Sequence, residues 1–109
     1  MIEGTYKAII KSAFIKSGIC VNLLLESGRV IGGDDHCFYE GNYDYSDLTL
    51  TLEISIHQRR NDPFYPLSSL PKFTVNLKGT RSFNCFELNG NVVEEPEKMI
   101  SVTLSKQHD

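Results

Sequence analysis

The segment from Leu48 to His57 restricts the fold more than any other part of the chain. Leu48, Leu50, Leu52, Ile54 and Ile56 share one parity, and Thr49, Thr51, Glu53, Ser55 and His57 share the other. A period of two belongs to a half-buried β-strand, whose successive side chains leave opposite faces of the sheet. Burying each large aliphatic contributes about 1.5–3 kcal/mol. A slip of one residue would exchange the whole apolar set for polar groups, so the pairing register is strongly specified. This segment cannot settle as a helix.

Similar alternation recurs in Tyr6, Ala8 and Ile10; in Ile19, Val21, Leu23 and Leu25; in Phe73, Val75 and Leu77; and in Ile100, Val102 and Leu104. Between these runs the turns are legible. Glu26-Ser27-Gly28-Arg29 reads as a tight hairpin with Gly28 at positive φ. Gly32-Gly33-Asp34-Asp35 and Tyr45-Ser46-Asp47 are predicted turns, and Glu94-Glu95-Pro96-Glu97 is predicted to close the last hairpin. Asn89-Gly90 is also a hairpin signal, yet Phe86, Leu88, Gly90 and Val92 keep one parity. A strand is therefore predicted to run through Gly90, which would mark a bulge or a close approach of backbones. The count is about eight short strands with no helical period, an all-β pattern of barrel or sandwich type.

Residues 59–71 break this pattern. Pro63, Pro66 and Pro71 exclude an interior strand there. A long loop is predicted, with Phe64, Tyr65, Leu67 and Leu70 capping one end of the barrel. No repeat or low-complexity run divides residues 1–109, so one domain is expected. The chain is 40% hydrophobic and 23% charged, the balance of a globular protein able to bury a core. Its net charge of -3, with Arg59-Arg60 as the single basic cluster, argues against direct nucleic-acid binding. Cys20, Cys37 and Cys85 are odd in number and far apart, which points to reduced, buried thiols. With no secretory pattern at the start and no apolar run near the ~20 residues of a membrane span, a cytoplasmic protein is expected, away from membranes.

The sequence carries few patterns of catalytic or metal-binding chemistry. His36 and Cys37 are adjacent and so leave opposite faces of a strand, and no Cys-x-x-Cys or His-x-x-x-His spacing supports a metal site. There is no Gly-x-Ser-x-Gly elbow and no glycine-rich loop opening a helix. Asp34-Asp35 and Glu94-Glu95 read as solvated turn acids. We therefore expect no enzyme, no cofactor and no metal. Two features remain. In the stretch Phe38 to Asp47, Gly41 separates Tyr39 from Tyr43, and Asp44, Tyr45 and Asp47 are candidates for an exposed recognition tip. Ile9 and Leu24 lie opposite their strands' main apolar faces, as a homodimer surface would.

These residues resemble the GrlR family, named for a negative regulator of type III secretion. The resemblance rests on Gly4-Thr5-Tyr6, on Ser27 to Asp34, on Tyr39-Glu40-Gly41-Asn42-Tyr43, on Phe73 to Gly79, on the spacing from Phe86 to Gly90, and on Ile100-Ser101-Val102. It implies an antiparallel, up-and-down, eight-stranded lipocalin-like β-barrel, often dimeric and without a catalytic site. It also implies a mode of action, in which the regulator binds a transcriptional activator and keeps it from its promoter. The family's regulator needs an exposed acidic run of four residues just past its Tyr-x-Gly motif. The comparable place here reads Asp44-Tyr45-Ser46-Asp47, where only two of the four positions are acidic.

Two functions compete. One is a protein-binding regulator using Asp44, Tyr45 and Asp47 against a basic partner. The other is a carrier of a small apolar ligand, its lumen lined by Tyr6, Ile10, Leu23, Leu50, Leu52, Phe73, Val75 and Val102. So many large residues in a short chain favour a filled lumen over an open one.

Overall fold

The computed structural model describes residues 2–13, 18–59, 68 and 70–107. Eight strands follow one another: β1 (Gly4–Lys11), β2 (Ile19–Glu26), β3 (Arg29–Gly33), β4 (Cys37–Ser46), β5 (Thr49–Gln58), β6 (Lys72–Ser82), β7 (Cys85–Val92) and β8 (Glu95–Lys106). Each pairs antiparallel with the next, and β8 pairs back with β1, so the sheet closes into an up-and-down barrel. Closure gives every strand a neighbour on both sides, although some stretches, such as the start of β8, are paired on one side only. Among the described residues no helix is long and apolar enough to cross a membrane.

The alternation read from the sequence is the inside-outside pattern of the wall. Along β5, Leu50, Leu52, Ile54 and Ile56 are buried, while Thr51 and Glu53 face outward. Leu48 does not join them. Ser46 pairs with Thr49, which leaves Asp47 and Leu48 as a two-residue turn with φ of 53° and 64°. A primed turn of this kind matches the twist of the strands it joins, so turn geometry outweighs the apolar parity of Leu48. The turn thus falls later than Tyr45-Ser46-Asp47, the position expected.

The hairpin at Ser27-Gly28 is as expected, with φ of 52° and 78°. Gly32 and Gly33 belong to the end of β3, and residues 34–36 make the connection. Asp34 is not a solvated acid there. Its Oδ1 accepts the backbone N–H groups of His36 (2.8 Å) and Cys37 (2.7 Å), and its Oδ2 accepts the Tyr39 hydroxyl at 3.1 Å. The last hairpin turns at Val93-Glu94, and Pro96 lies inside β8. Proline is tolerated because the pairing of β8 with β1 starts only at Ser101, so Pro96 occupies a one-sided stretch.

Strand β7 runs through Asn89-Gly90 as predicted. Gly90 marks a close approach to the Asn76 carbonyl of β6, and the ladder irregularity falls next to it, at Asn91 and Val92. Of the predicted cap, Phe64, Tyr65 and Leu67 lie outside the described residues, whereas Leu70 packs against the core. Gln58 ties this connection down, its Nε2 donating to the carbonyls of Ser68 (3.2 Å) and Leu70 (2.8 Å). Of the three free cysteines, Cys37 is buried as expected, Cys20 is exposed and Cys85 is half-buried.

Candidate functional site

The lumen comes first, because a barrel of eight strands can either hold a ligand or fill itself. All eight predicted lining residues, Tyr6, Ile10, Leu23, Leu50, Leu52, Phe73, Val75 and Val102, are buried in one core cluster. They pack with Leu25, Val30, Tyr39, Leu88 and Leu104 and leave an interior void of about 20 Å³. That is room for about one water, in a wholly apolar setting, whereas pockets for small molecules run to about 300–1,000 Å³. Ile10, Leu23, Leu52, Val75 and Val102 border the void; Tyr6, Leu50 and Phe73 do not.

Tyr6 instead belongs to an aromatic plug at the end of the barrel where the β2–β3, β4–β5 and β6–β7 turns lie. Its ring lies 6.4 Å from that of Phe86, and Tyr45 meets Phe86 edge-on at 5.7 Å. The Arg81 guanidinium covers the same ring, 5.7 Å from its centroid. The Tyr6 hydroxyl donates to the Ile2 carbonyl, which closes the plug from below. Burial pushes the Tyr6 phenol above its usual pKa, the nearby Arg81 charge opposes this, and Tyr43 and Tyr45 add to it.

The three residues predicted as a recognition tip separate here. Asp44 is exposed on the outer face of β4, where its Oδ2 accepts the Ser46 hydroxyl at 3.0 Å. Asp47 is exposed in the turn. Tyr45 has the parity of the core, so its ring turns inward and serves as plug rather than tip. Asp44 also borders a shallow outer groove of about 250 Å³ with Asn42, Thr51 and Glu53. Beyond Glu53 the surface continues as a groove of about 380 Å³ flanked by Asn76, Lys78, Asn89 and Asn91.

Two residues at this end escaped the sequence reading. Leu48 is 72% exposed and Phe83 is 96% exposed, each in a hairpin turn at positive φ. Leu48 was masked by its parity with β5. Phe83 carried a signal, standing between Ser82 and Asn84 where turn formers gather.

A second outward feature runs over β2, β3 and β4. Leu24 stands beside Ile31 in the ladder, and Phe38 lies further along β4, each between 38% and 45% exposed. His57 borders the strip, its Nε2 3.3 Å from Glu40 Oε1 and its ring 6.0 Å from that of Phe38. Ile9, half-buried, sits farther along the same face beside Cys20, beyond the Lys7–Asn22 pair. Among the described residues, no three His, Cys, Asp or Glu side chains stand close enough to hold a metal ion.

Fold and surface together define a small closed β-barrel with a filled lumen and its chemistry turned outward. Compared with protein-family models and with curated proteins, the chain finds no match in either.

Proposed function

We propose that this protein is a non-catalytic regulator that acts by binding another protein, and that the partner is a transcriptional activator, as the resemblance to the GrlR family implies. One observation carries the reading. The lumen is packed to about 20 Å³, while Asp44 and Glu53 stand on an open groove beside the exposed Asp47 turn. An acidic rim of this kind speeds encounter with a basic partner and aligns it. DNA-binding activators are basic along the surface that meets phosphates, so the same contact competes with the promoter.

The experiment is affinity capture from the native host with the tagged wild-type protein, run beside the Asp44→Asn, Asp47→Asn double variant. A DNA-binding protein recovered with the wild type and reduced with the variant is the expected result. Equal recovery with both proteins would remove the acidic tip from the account, and recovery of a small molecule alone would restore the carrier reading.

We also propose a homodimer through the outward strip of Leu24, Ile31 and Phe38. Lys7 on β1 and Glu40 on β4 flank the strip on opposite sides. A two-fold axis along β3 brings each Lys7 against the Glu40 of the second copy. Sedimentation of the wild type against Ile31→Asp tests this, with a monomeric variant expected.

A further inference from the structure

We infer that Leu48 and Phe83 are the apolar anchors of the docking end, and that they seat a basic amphipathic segment of the partner protein. The inference rests on the protein-binding reading above and adds to it the groups that hold the complex together.

Leu48 and Phe83 stand out in exposure. The other outward apolar residues, Leu24, Ile31, Phe38, Val93 and Met99, range from 38% to 61% exposed, whereas Leu48 reaches 72% and Phe83 reaches 96%. A phenylalanine so fully in water contributes almost nothing to its own fold. They also share an unusual backbone conformation. Leu48 lies at φ 64° and Phe83 at φ 56°, a region that glycine and asparagine tolerate and bulky side chains resist. Both turns therefore hold a residue type that the local backbone disfavours. Strain of this kind in two exposed turns points to a demand from outside the fold.

Their placement brings them together. The β5–β6 ladder ends with Thr49 opposite Thr80, so Leu48 comes alongside Arg81 and Phe83 projects two residues farther. The anchors thus stand on neighbouring hairpin tips at one end of the barrel. Four acids lie around them: Asp44 and Asp47 on the β4–β5 hairpin, Glu87 on β7, and Glu53 at the groove. Three cations stand among them: Arg81, whose guanidinium is spread over the Phe86 ring, Lys78, across Thr51 from Asp44, and Arg29, beside Asn42 on β4. An apolar centre with an acidic rim fits a segment whose leucine-like side chains are flanked by lysine or arginine. The same rim repels an anionic membrane, which favours a protein over a lipid surface.

The test uses purified full-length protein and a synthetic helical peptide with leucines on one face and lysines on the other. Amide shifts are followed by nuclear magnetic resonance, with neutral and anionic phospholipid vesicles as parallel probes. Saturable peptide binding is expected, with shifts concentrated at residues 44–48 and 81–84. Leu48→Asn and Phe83→Asn should each weaken it by ~10-fold or more. Both variants should also melt higher than wild type, by ~5 °C, because the turn strain is relieved. Loss of affinity with a gain of stability cannot come from misfolding. The Asp44→Asn, Asp47→Asn variant separates the two readings. If it binds the peptide unchanged while the anchor variants fail, the acidic tip is wrong and the anchors stand. If it alone loses binding, the anchors are wrong and the acidic tip stands. Peptide shifts on Leu24, Ile31 and Phe38 instead, or wild-type binding to vesicles in place of peptide, would each overturn the inference.

Discussion

Replacing Gly90 with alanine should damage this fold severely, as should the same change at Gly41 or Gly79, because each of these glycines lies against the backbone of the neighbouring strand. A Cβ on Gly90 would overlap the Asn76 carbonyl oxygen and would sit 2.7 Å from the Asn76 carbonyl carbon and 3.0 Å from Leu77 Cα. These atoms belong to the backbone of β6, so no side-chain rotation can clear them. Relief requires β6 and β7 to part by ~1–2 Å where Leu77 faces Gly90. Overpacking of this kind costs about 1–3 kcal/mol, and weakening the adjoining ladder bonds adds about 1 kcal/mol each. The expected loss is therefore about 3–5 kcal/mol, against a total of about 5–15 kcal/mol for a domain of ordinary stability. Urea unfolding followed by circular dichroism reads this as a fall of ~2 M in the midpoint at unchanged slope. The control is Gly28→Ala. Gly28 has φ 78°, but its Cβ would meet nothing nearer than the Tyr43 carbonyl at 4.0 Å, so only the conformational cost of about 1–2 kcal/mol applies. A Gly90→Ala protein that loses no more than Gly28→Ala would refute the close-approach argument.

Two further outcomes follow from the core and from the upper connection. Leu52 is buried and borders the interior void, so Leu52→Ala should lose about 3–5 kcal/mol in the same unfolding assay. The enlarged cavity should also take up benzene, read as a rise in melting temperature that wild type does not show. At the other end of the barrel, the buried Ser68 hydroxyl donates to Glu95 Oε1 at 2.6 Å, and Lys98 lies 3.2 Å from Oε2. The Ser68 hydrogen bond, with Lys98 second, holds the Glu95 carboxyl below its ordinary pKa of 4.5. A carboxylate with a lowered folded-state pKa stabilises the fold above its unfolded pKa, and that contribution disappears as pH falls through the folded value. Ser68→Ala should therefore raise the Glu95 pKa toward its ordinary value in a carboxyl titration by nuclear magnetic resonance. The gap in melting temperature between the two proteins should be widest near neutral pH and narrow in acid.

The proposed docking end shows how local and global demands diverge. Strand β4 carries Asp44 outward and Tyr45 inward by the same alternation that forms the wall, so a stretch that looks like one acidic-aromatic tip is divided between two faces. Parity along β4 predicts that division. The partner that draws Tyr45 inward, Phe86, arrives from β7, some forty residues later in the chain, and no local pattern announces it.

Much of the architecture was legible in the amino-acid order. Side chains in a strand alternate strictly, so the parity of Leu50 to Ile56 sets which face is buried before any partner strand is known. The Ser27-Gly28 hairpin was legible for the same reason, since positive φ there is a local steric matter. Whether eight strands form a sandwich or a closed barrel depends on β1 meeting β8 across nearly the full length of the chain, which only the tertiary structure decides. The filled lumen is likewise a property of summed volumes rather than of any one residue. Leu48 shows the limit most directly. Its parity placed it in the core, but the hairpin needed two residues at positive φ, and the energy of one buried leucine did not outweigh the register of a whole ladder.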